Sequence, residues 1–128
     1  MNGGRGRLLL VEDDEASRGA LSALLDAEGY VVLTAGTLGE ADAALEAGAP
    51  ALVVLDVMLP DGDGAAWLAR CRARAARMPP VVALTGVTRR EDVRRIRESG
   101  ARTVLSKPVD IRQLLTEIEA ALTSEARE

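Results

Sequence analysis

Residues 51–62 read ALVVLDVMLPDG, and this stretch decides the fold. Its first five residues are continuously apolar, and turn residues flank them, with Pro50 on one side and Pro60 followed by Asp-Gly on the other. Such a run predicts a strand that is buried on both faces in the middle of a parallel sheet. Asp56 stands at its carboxyl end. Because ligands of open α/β sheets bind outside the carboxyl ends of the strands, this carboxylate is positioned for chemistry.

The composition is typical of a soluble globular domain. With 128 residues, 48% of them hydrophobic and 28% charged, the chain is expected to form one domain with one core. Aromatic residues are only 2%, so aliphatic side chains must fill that core. The net charge of -4 argues against direct nucleic-acid binding. No apolar run approaches the ~20 residues of a membrane helix, so membrane insertion is not expected.

The residue types also limit the chemistry. Cys71 is the single cysteine and cannot form an internal disulfide, which favours a cytoplasmic location. The chain has no histidine, so the commonest acid–base group and metal ligand is absent. Any metal ion must therefore be a hard cation that is bound by oxygen atoms.

Five apolar strands alternate with five amphipathic helices along the chain. The strands are predicted at 7–11, 30–35, 51–56, 81–84 and 102–105, and the helices at about 16–28, 38–47, 65–76, 89–99 and from near 110. Several helix ends carry typical capping residues. The predicted N-caps are Asp13 or Asp14, Thr37 and Thr88, and the predicted closing glycines are Gly29, Gly48 and Gly100.

Strict alternation of strands and helices with short connections predicts an α/β fold with helices on both faces of a parallel sheet. The best match is the flavodoxin-like, doubly wound (βα)5 three-layer sandwich with strand order 2-1-3-4-5. Residues 1–6 are interpreted as a flexible lead-in, 7–123 as the domain and 124–128 as a C-terminal tail.

Polar residues stand at the carboxyl ends of four of the five strands. The first strand ends in Glu12 and Asp13, the third in Asp56, the fourth in Thr85 and the fifth in Lys107. The first and third strands are neighbours in the predicted order, so their three carboxylates converge. They repel one another unless a cation neutralises them, and oxygen donors favour Mg²⁺. Carboxylate, Mg²⁺, hydroxyl and ammonium together indicate a phosphoryl-transfer site in which the carboxylate is the nucleophile.

At these strand ends the chain resembles the receiver domain of two-component response regulators. The matching motifs are LVEDD (10–14), LDVMLPDG (55–62), ALTG (83–86) and SKP (106–108), and the resemblance covers roughly residues 7–123. It implies that Asp56 accepts a phosphoryl group from a phosphohistidine of a sensor histidine kinase or phosphotransfer protein.

The resemblance also implies roles for the neighbouring residues. Asp13 and Asp56 would ligate Mg²⁺, with Glu12 helping through water and Met58 giving its backbone carbonyl. Thr85 would contact the phosphoryl oxygens and Lys107 would pair with the phosphoaspartate. The Lys107-Pro108 bond is a plausible cis peptide, since only X-Pro bonds adopt that form at low cost.

One position departs from the family pattern. Many members carry Tyr or Phe three residues before the lysine, where this chain has Val104. A valine has no ring that could move between two pockets, so the output is expected to be muted or transmitted through backbone shifts.

The family resemblance places an output partner protein on the face of the fourth helix, fifth strand and fifth helix. The arginines of residues 89–102 make this region basic, which is typical either of a solvated helix face or of an interface for an acidic partner.

We therefore expect a signalling module without an attached output domain, which promotes only its own phosphorylation and dephosphorylation and is otherwise no enzyme. One alternative is a receiver fragment of a larger regulator or hybrid kinase, and another is a receiver-like scaffold. A third is a haloacid-dehalogenase-like phosphatase, but those enzymes need a second Asp two residues after the nucleophile, where this chain has Met58.

Overall fold

A computed structural model describes residues 4–74, 77–87 and 89–126 of the chain. Strands and helices alternate as the sequence predicts, with one additional short hairpin. In chain order the elements are β1 (Gly6–Val11), α1 (Glu15–Ala27), β2 (Tyr30–Ala35), α2 (Leu38–Gly48), β3 (Leu52–Asp56), β4 (Met58–Leu59), β5 (Gly62–Asp63), α3 (Gly64–Arg74), β6 (Val81–Thr85), α4 (Arg90–Glu98), β7 (Thr103–Ser106) and α5 (Ile111–Ala126).

Five strands form one parallel sheet in the order β2-β1-β3-β6-β7. This order confirms the predicted flavodoxin-like topology, because β6 and β7 are the fourth and fifth strands of the main sheet. The register pairs Val11 with Leu55 and Asp56 with Leu84, so β1, β3 and β6 end at the same edge. Thr85 pairs with Ser106 at the end of β7, which brings Lys107 to that edge too.

The continuous apolar strands are explained by a core on each side of the sheet. Because successive side chains of a strand point to opposite faces, alternate residues of β3 serve different cores. Val53 and Leu55 pack in the cluster that includes residues of α2, α3 and α4. Leu52 and Val54 pack in the other cluster, with residues of α1 and α5. Every residue of β3 and β6 is buried.

The helix caps agree with the sequence in part. The side chain of Asp14 caps α1, and that of Thr37 caps α2. The prediction that Gly48 closes α2 is wrong, because the helix includes Gly48 and the left-handed residue is Ala49, with φ of 43°. Gly48 lies instead against β2, where a Cβ at this position would meet Cδ1 of the Leu33 side chain.

Other boundaries shift by a few residues. The predicted N-cap Thr88 lies outside the described residues, and so do residues 75–76 at the predicted end of the third helix. The last helix continues to Ala126, past the predicted domain end at 123. Within the described ranges, no helix combines the length and the apolar character that a bilayer-spanning segment requires.

Candidate functional site

Three carboxylates meet at the carboxyl edge of the sheet. Glu12 and Asp13 follow β1, and Asp56 is the last residue of β3. Each contributes a carboxylate oxygen, and these oxygens lie within 4.8 Å of one another. Glu12 is only 4% exposed and Asp56 only 3%, whereas Asp13 faces solvent. The sequence prediction that these acids converge is therefore matched by their placement.

Lys107 supplies a positive charge to this cluster. Its Nζ donates to Oδ2 of Asp56 at 2.8 Å and to Oε1 of Glu12 at 3.3 Å. Burial alone would lower the pKa of Lys107, but the hydrogen bond that Lys107 donates to Asp56 and the charges of both acids outweigh burial and raise it. The Lys107-Pro108 peptide is cis, as predicted.

The pKa of Glu12 is raised even though Lys107 is close by. Burial raises the pKa of Glu12 above its usual range, and contact with Asp56 raises it further. The hydrogen bond from the backbone N–H of Asp14 and the charge of Lys107 oppose this rise but do not cancel it. Two buried carboxylates and one exposed one thus share a single ammonium group among the contacts described here, and this arrangement favours an additional cation.

The remaining predicted residues border the cluster. Thr85 is fully buried at the end of β6, and its Oγ1 accepts a hydrogen bond from the N–H of Val87 at 3.1 Å. The backbone N–H of Met58 donates to Oδ1 of Asp56 at 3.2 Å. The side chain of Met58 is 68% exposed and points away from the core. The predicted site residues thus lie along one edge of the sheet.

Sequence reasoning missed the hairpin that follows Asp56. Strands β4 and β5 pair antiparallel through a two-residue turn, Pro60-Asp61. The Asp61 carboxylate accepts hydrogen bonds from the N–H groups of Leu38 and Gly39 in the first turn of α2. The sequence indicated a turn here, but the partner of Asp61 lies more than 20 residues away, where no local pattern shows it.

The hairpin is also held on its other side. Asp63 accepts a hydrogen bond from the N–H of Ala65 at 2.9 Å, at the start of α3. Its other oxygen lies 2.9 Å from Nη2 of Arg95 on α4. The residues directly after Asp56 are therefore fastened to three helices.

The donor set fits a hard divalent cation. All donors of the cluster are carboxylate oxygens, which are the ligands that Mg²⁺ prefers in proteins. Two of the three acids are buried, and only one lysine offsets their charge among the described contacts. A bound cation would reduce the repulsion among these three carboxylates.

Comparisons with known proteins agree on one family. A family model described as the response regulator receiver domain matches residues 8–119. The chain is 37% identical over 118 residues to the transcriptional regulatory protein PdtaR of Mycobacterium tuberculosis, covering 91% of this chain and 57% of that protein. It is also 37% identical over 109 residues to an uncharacterized 14.6 kDa protein of Leptolyngbya boryana, covering 84% of this chain and 83% of that one.

The solved structures agree with the sequence relatives. A CheY-like response regulator receiver domain protein from Methanospirillum hungatei JF-1 superposes with a TM-score of 0.85 at 31% identity, covering 94% of this chain and 96% of that one. The chain thus spans nearly all of a solved receiver domain but little more than half of PdtaR.

The hydrogen bonds at Asp61 generate a prediction about pH. The N–H groups of Leu38 and Gly39 lower the pKa of Asp61 below its usual value of 3.8. A carboxyl group with a lowered folded-state pKa adds stability above its unfolded pKa and loses it as pH falls through the folded value. We therefore expect Asp61→Asn to reduce the free energy of unfolding near neutral pH, and the difference from wild type to shrink as pH falls below 3.8.

Urea unfolding at a series of pH values measures this difference. The matched control is Asp26→Asn, which changes an exposed aspartate of α1. A difference between wild type and Asp61→Asn that is constant across the acid range would contradict the prediction.

Proposed function

The chain belongs to the response regulator receiver domain family, and on this premise we propose that it is a phosphorylation-switched signalling module of a two-component system. Asp56 accepts a phosphoryl group from a phosphohistidine of a sensor histidine kinase or phosphotransfer protein. The observation that carries this proposal is the position of Asp56, which is buried at the end of a central strand between Lys107 and two further carboxylates.

The proposed transfer is a displacement at phosphorus. A carboxylate oxygen of Asp56 attacks, the bond from phosphorus to the histidine nitrogen breaks, and the electron pair of that bond stays on the imidazole of the donor. Lys107 already contacts Oδ2 of Asp56, so its ammonium is close to the charge that the incoming group brings. Thr85 would offer its hydroxyl to a phosphoryl oxygen from the neighbouring strand.

Mg²⁺ fits the same cluster, with Asp13 and Asp56 as ligands, Glu12 assisting and Met58 giving its backbone carbonyl. When bound, the ion would neutralise charge on the transferring group. The chain's own contribution is to hold these oxygen atoms at one edge, with Glu12 oriented by the N–H of Asp14 at 3.2 Å. Arg18 of α1 donates to the backbone carbonyl of Glu12 at 3.0 Å and steadies the same segment.

The output surface is proposed on α4, β7 and α5. Arg90, Arg94 and Arg97 are all exposed on α4, and their spacing puts them on one stripe of the helix, away from the buried Ile96. Arg102 is exposed just before β7. A surface with these charges favours an acidic output partner.

The haloacid-dehalogenase-like phosphatase alternative gains no support. The position where such enzymes carry their general acid is occupied here by the thioether side chain of Met58.

The first test concerns the phosphoacceptor. With Mg²⁺ and acetyl phosphate we expect the wild type to gain one phosphoryl group, measured by intact mass, and Asp56→Asn to gain none. The amide keeps the shape of the side chain but is a far poorer nucleophile. Asp26→Asn is the control that should be modified like the wild type. Equal modification of Asp56→Asn would place the acceptor elsewhere.

The second test concerns the metal. Mg²⁺ that binds only the folded state should raise the melting temperature by mass action. We expect Asp13→Ala to abolish this rise, because it removes one of the three converging carboxylates. The control Glu15→Ala removes an exposed acid two residues away and should keep the Mg²⁺ response. A full response in Asp13→Ala, measured by a thermal scan, would exclude Asp13 as a ligand.

The third test concerns the lifetime of the phosphorylated state. Water must attack phosphorus in line, which breaks the bond to the Asp56 oxygen, restores the carboxylate and releases inorganic phosphate. Met58 and Val87 each stand two residues beyond a site residue, and both side chains are exposed near this approach. Neither can orient a water molecule as a polar side chain does, and both are bulky. We therefore expect slow self-dephosphorylation.

The decay of phosphorylated protein after removal of the donor measures this lifetime. We expect the double variant Met58→Asn, Val87→Glu to decay faster than the wild type. Leu24→Asn changes an exposed apolar side chain on α1 and should leave the rate unchanged. Equal or slower decay of the double variant would show that another feature controls access of water.

A further inference from the structure

The hairpin of residues 58–63 joins the phosphoacceptor strand to α3, and its stability cannot come from the hairpin alone. Each of its strands has two residues, and a hairpin this short is at best marginally stable in water. Met58, its first residue, donates its N–H to Oδ1 of Asp56. A contact that holds the hairpin in place therefore also holds the backbone N–H of Met58, which contacts the proposed phosphoacceptor Asp56.

Asp61, in the turn, joins the hairpin to the start of α2. The two oxygens of the Asp61 carboxylate accept separate hydrogen bonds, from the N–H of Leu38 at 2.9 Å and from the N–H of Gly39 at 3.2 Å. Gly62 lies against the same helix end, since a Cβ there would come within 3.1 Å of Cδ1 of Leu38. Its φ of +153° is also a conformation that side chains disfavour.

Asp61 and Thr37 both accept hydrogen bonds from N–H groups in the first turn of α2. A helix leaves its first four N–H groups without partners inside the helix. Those of Leu38 and Gly39 are bound by Asp61, and that of Glu40 is bound by Oγ1 of Thr37. The two caps serve the same helix, but only Asp61 connects that helix to the phosphoacceptor segment.

We propose that Asp61 is a positioning residue for the phosphoacceptor site: by fastening the hairpin to the start of α2, it holds the backbone of Met58 beside Asp56. The proposal rests on the function proposed above, because its consequence is a metal site whose Met58 carbonyl is already in place before the ion binds. The contacts of Asp63 with Ala65 and Arg95 hold the opposite side of the hairpin, so loss of Asp61 frees one side only.

A purely structural role for Asp61, as one more cap of α2, makes a different prediction. Thr37→Ala weakens the same helix end from within α2 and leaves the contacts between α2 and the hairpin in place. If Asp61 acts only as a cap, Asp61→Ala and Thr37→Ala should affect the hairpin and the metal site alike. If Asp61 positions the hairpin, only Asp61→Ala should loosen it.

The first measurement needs no ligand. Backbone ¹⁵N relaxation of the metal-free protein reports the order of the Met58, Leu59 and Gly62 amides on the fast timescale. We expect these amides to gain motion in Asp61→Ala and to stay as in the wild type in Thr37→Ala. Asp61→Asn, which keeps one acceptor oxygen, should give an intermediate result. Equal order of the hairpin in Asp61→Ala and Thr37→Ala would overturn the proposal.

The second measurement is the Kd for Mg²⁺ by titration calorimetry. We expect Asp61→Ala to weaken binding about tenfold, the low end of the losses that follow removal of supporting contacts around metal sites. Thr37→Ala should bind Mg²⁺ like the wild type, and unchanged binding in Asp61→Ala would count against positioning. If the wild type itself bound no Mg²⁺, the proposed metal site would be wrong, and the relaxation comparison would still decide the role of Asp61.

Discussion

The contacts of Lys107 with Asp56 and Glu12 are the interaction on which the rest of the site depends. Two carboxylates are buried at the end of the sheet, and burial of charge is costly unless an opposite charge accompanies it. Lys107 provides that charge from a strand 95 residues beyond Glu12 in the chain. The cluster can therefore form only after the first, third and last strands of the sheet have assembled in their parallel order. Burial is the main cause of the raised pKa of Glu12, and the contact with Asp56 adds to it. Three carboxylates beside one ammonium group favour a further cation.

Three strand ends were predicted exactly and the other two to within one residue, because each strand has a local pattern, and the alternation of strands and helices predicted the sheet order. A continuous apolar run predicts a strand buried on both faces, and turn residues show where it ends, so the polar residue at each end could be identified directly. The cis Lys107-Pro108 bond was suggested by the proline together with the SKP motif of the resemblance. The convergence of Glu12, Asp13 and Asp56 then followed from the strand order, since carboxyl ends of adjacent parallel strands share one edge.

What the sequence did not reveal depends on contacts between residues far apart in the chain. Glycine often closes a helix, but Gly48 lies within α2, where it faces the side chain of Leu33 from β2. The hairpin after Asp56 could not be predicted from the sequence, because strands of two residues show no hydrophobic periodicity. Asp61 and Asp63 look like ordinary turn residues in sequence, and their partners on α2 and α4 become visible only in the folded chain. Their contacts explain why a loop beside a charged cluster can hold one conformation.

The valine at position 104 limits how the site can communicate with the rest of the molecule. Val104 is partly buried and packs against the core that α2, α3 and α4 share, so it fills space without offering a ring that could change position. Two other contacts connect the region of the site to α4 and its preceding loop. The hydroxyl of Thr85 binds the N–H of Val87 in the connection to α4, and Asp63 binds Arg95 within α4. Both paths reach the helix that carries the exposed arginine stripe. Under the proposed function, a rearrangement at Asp56 would act on α4 through these backbone and hairpin contacts.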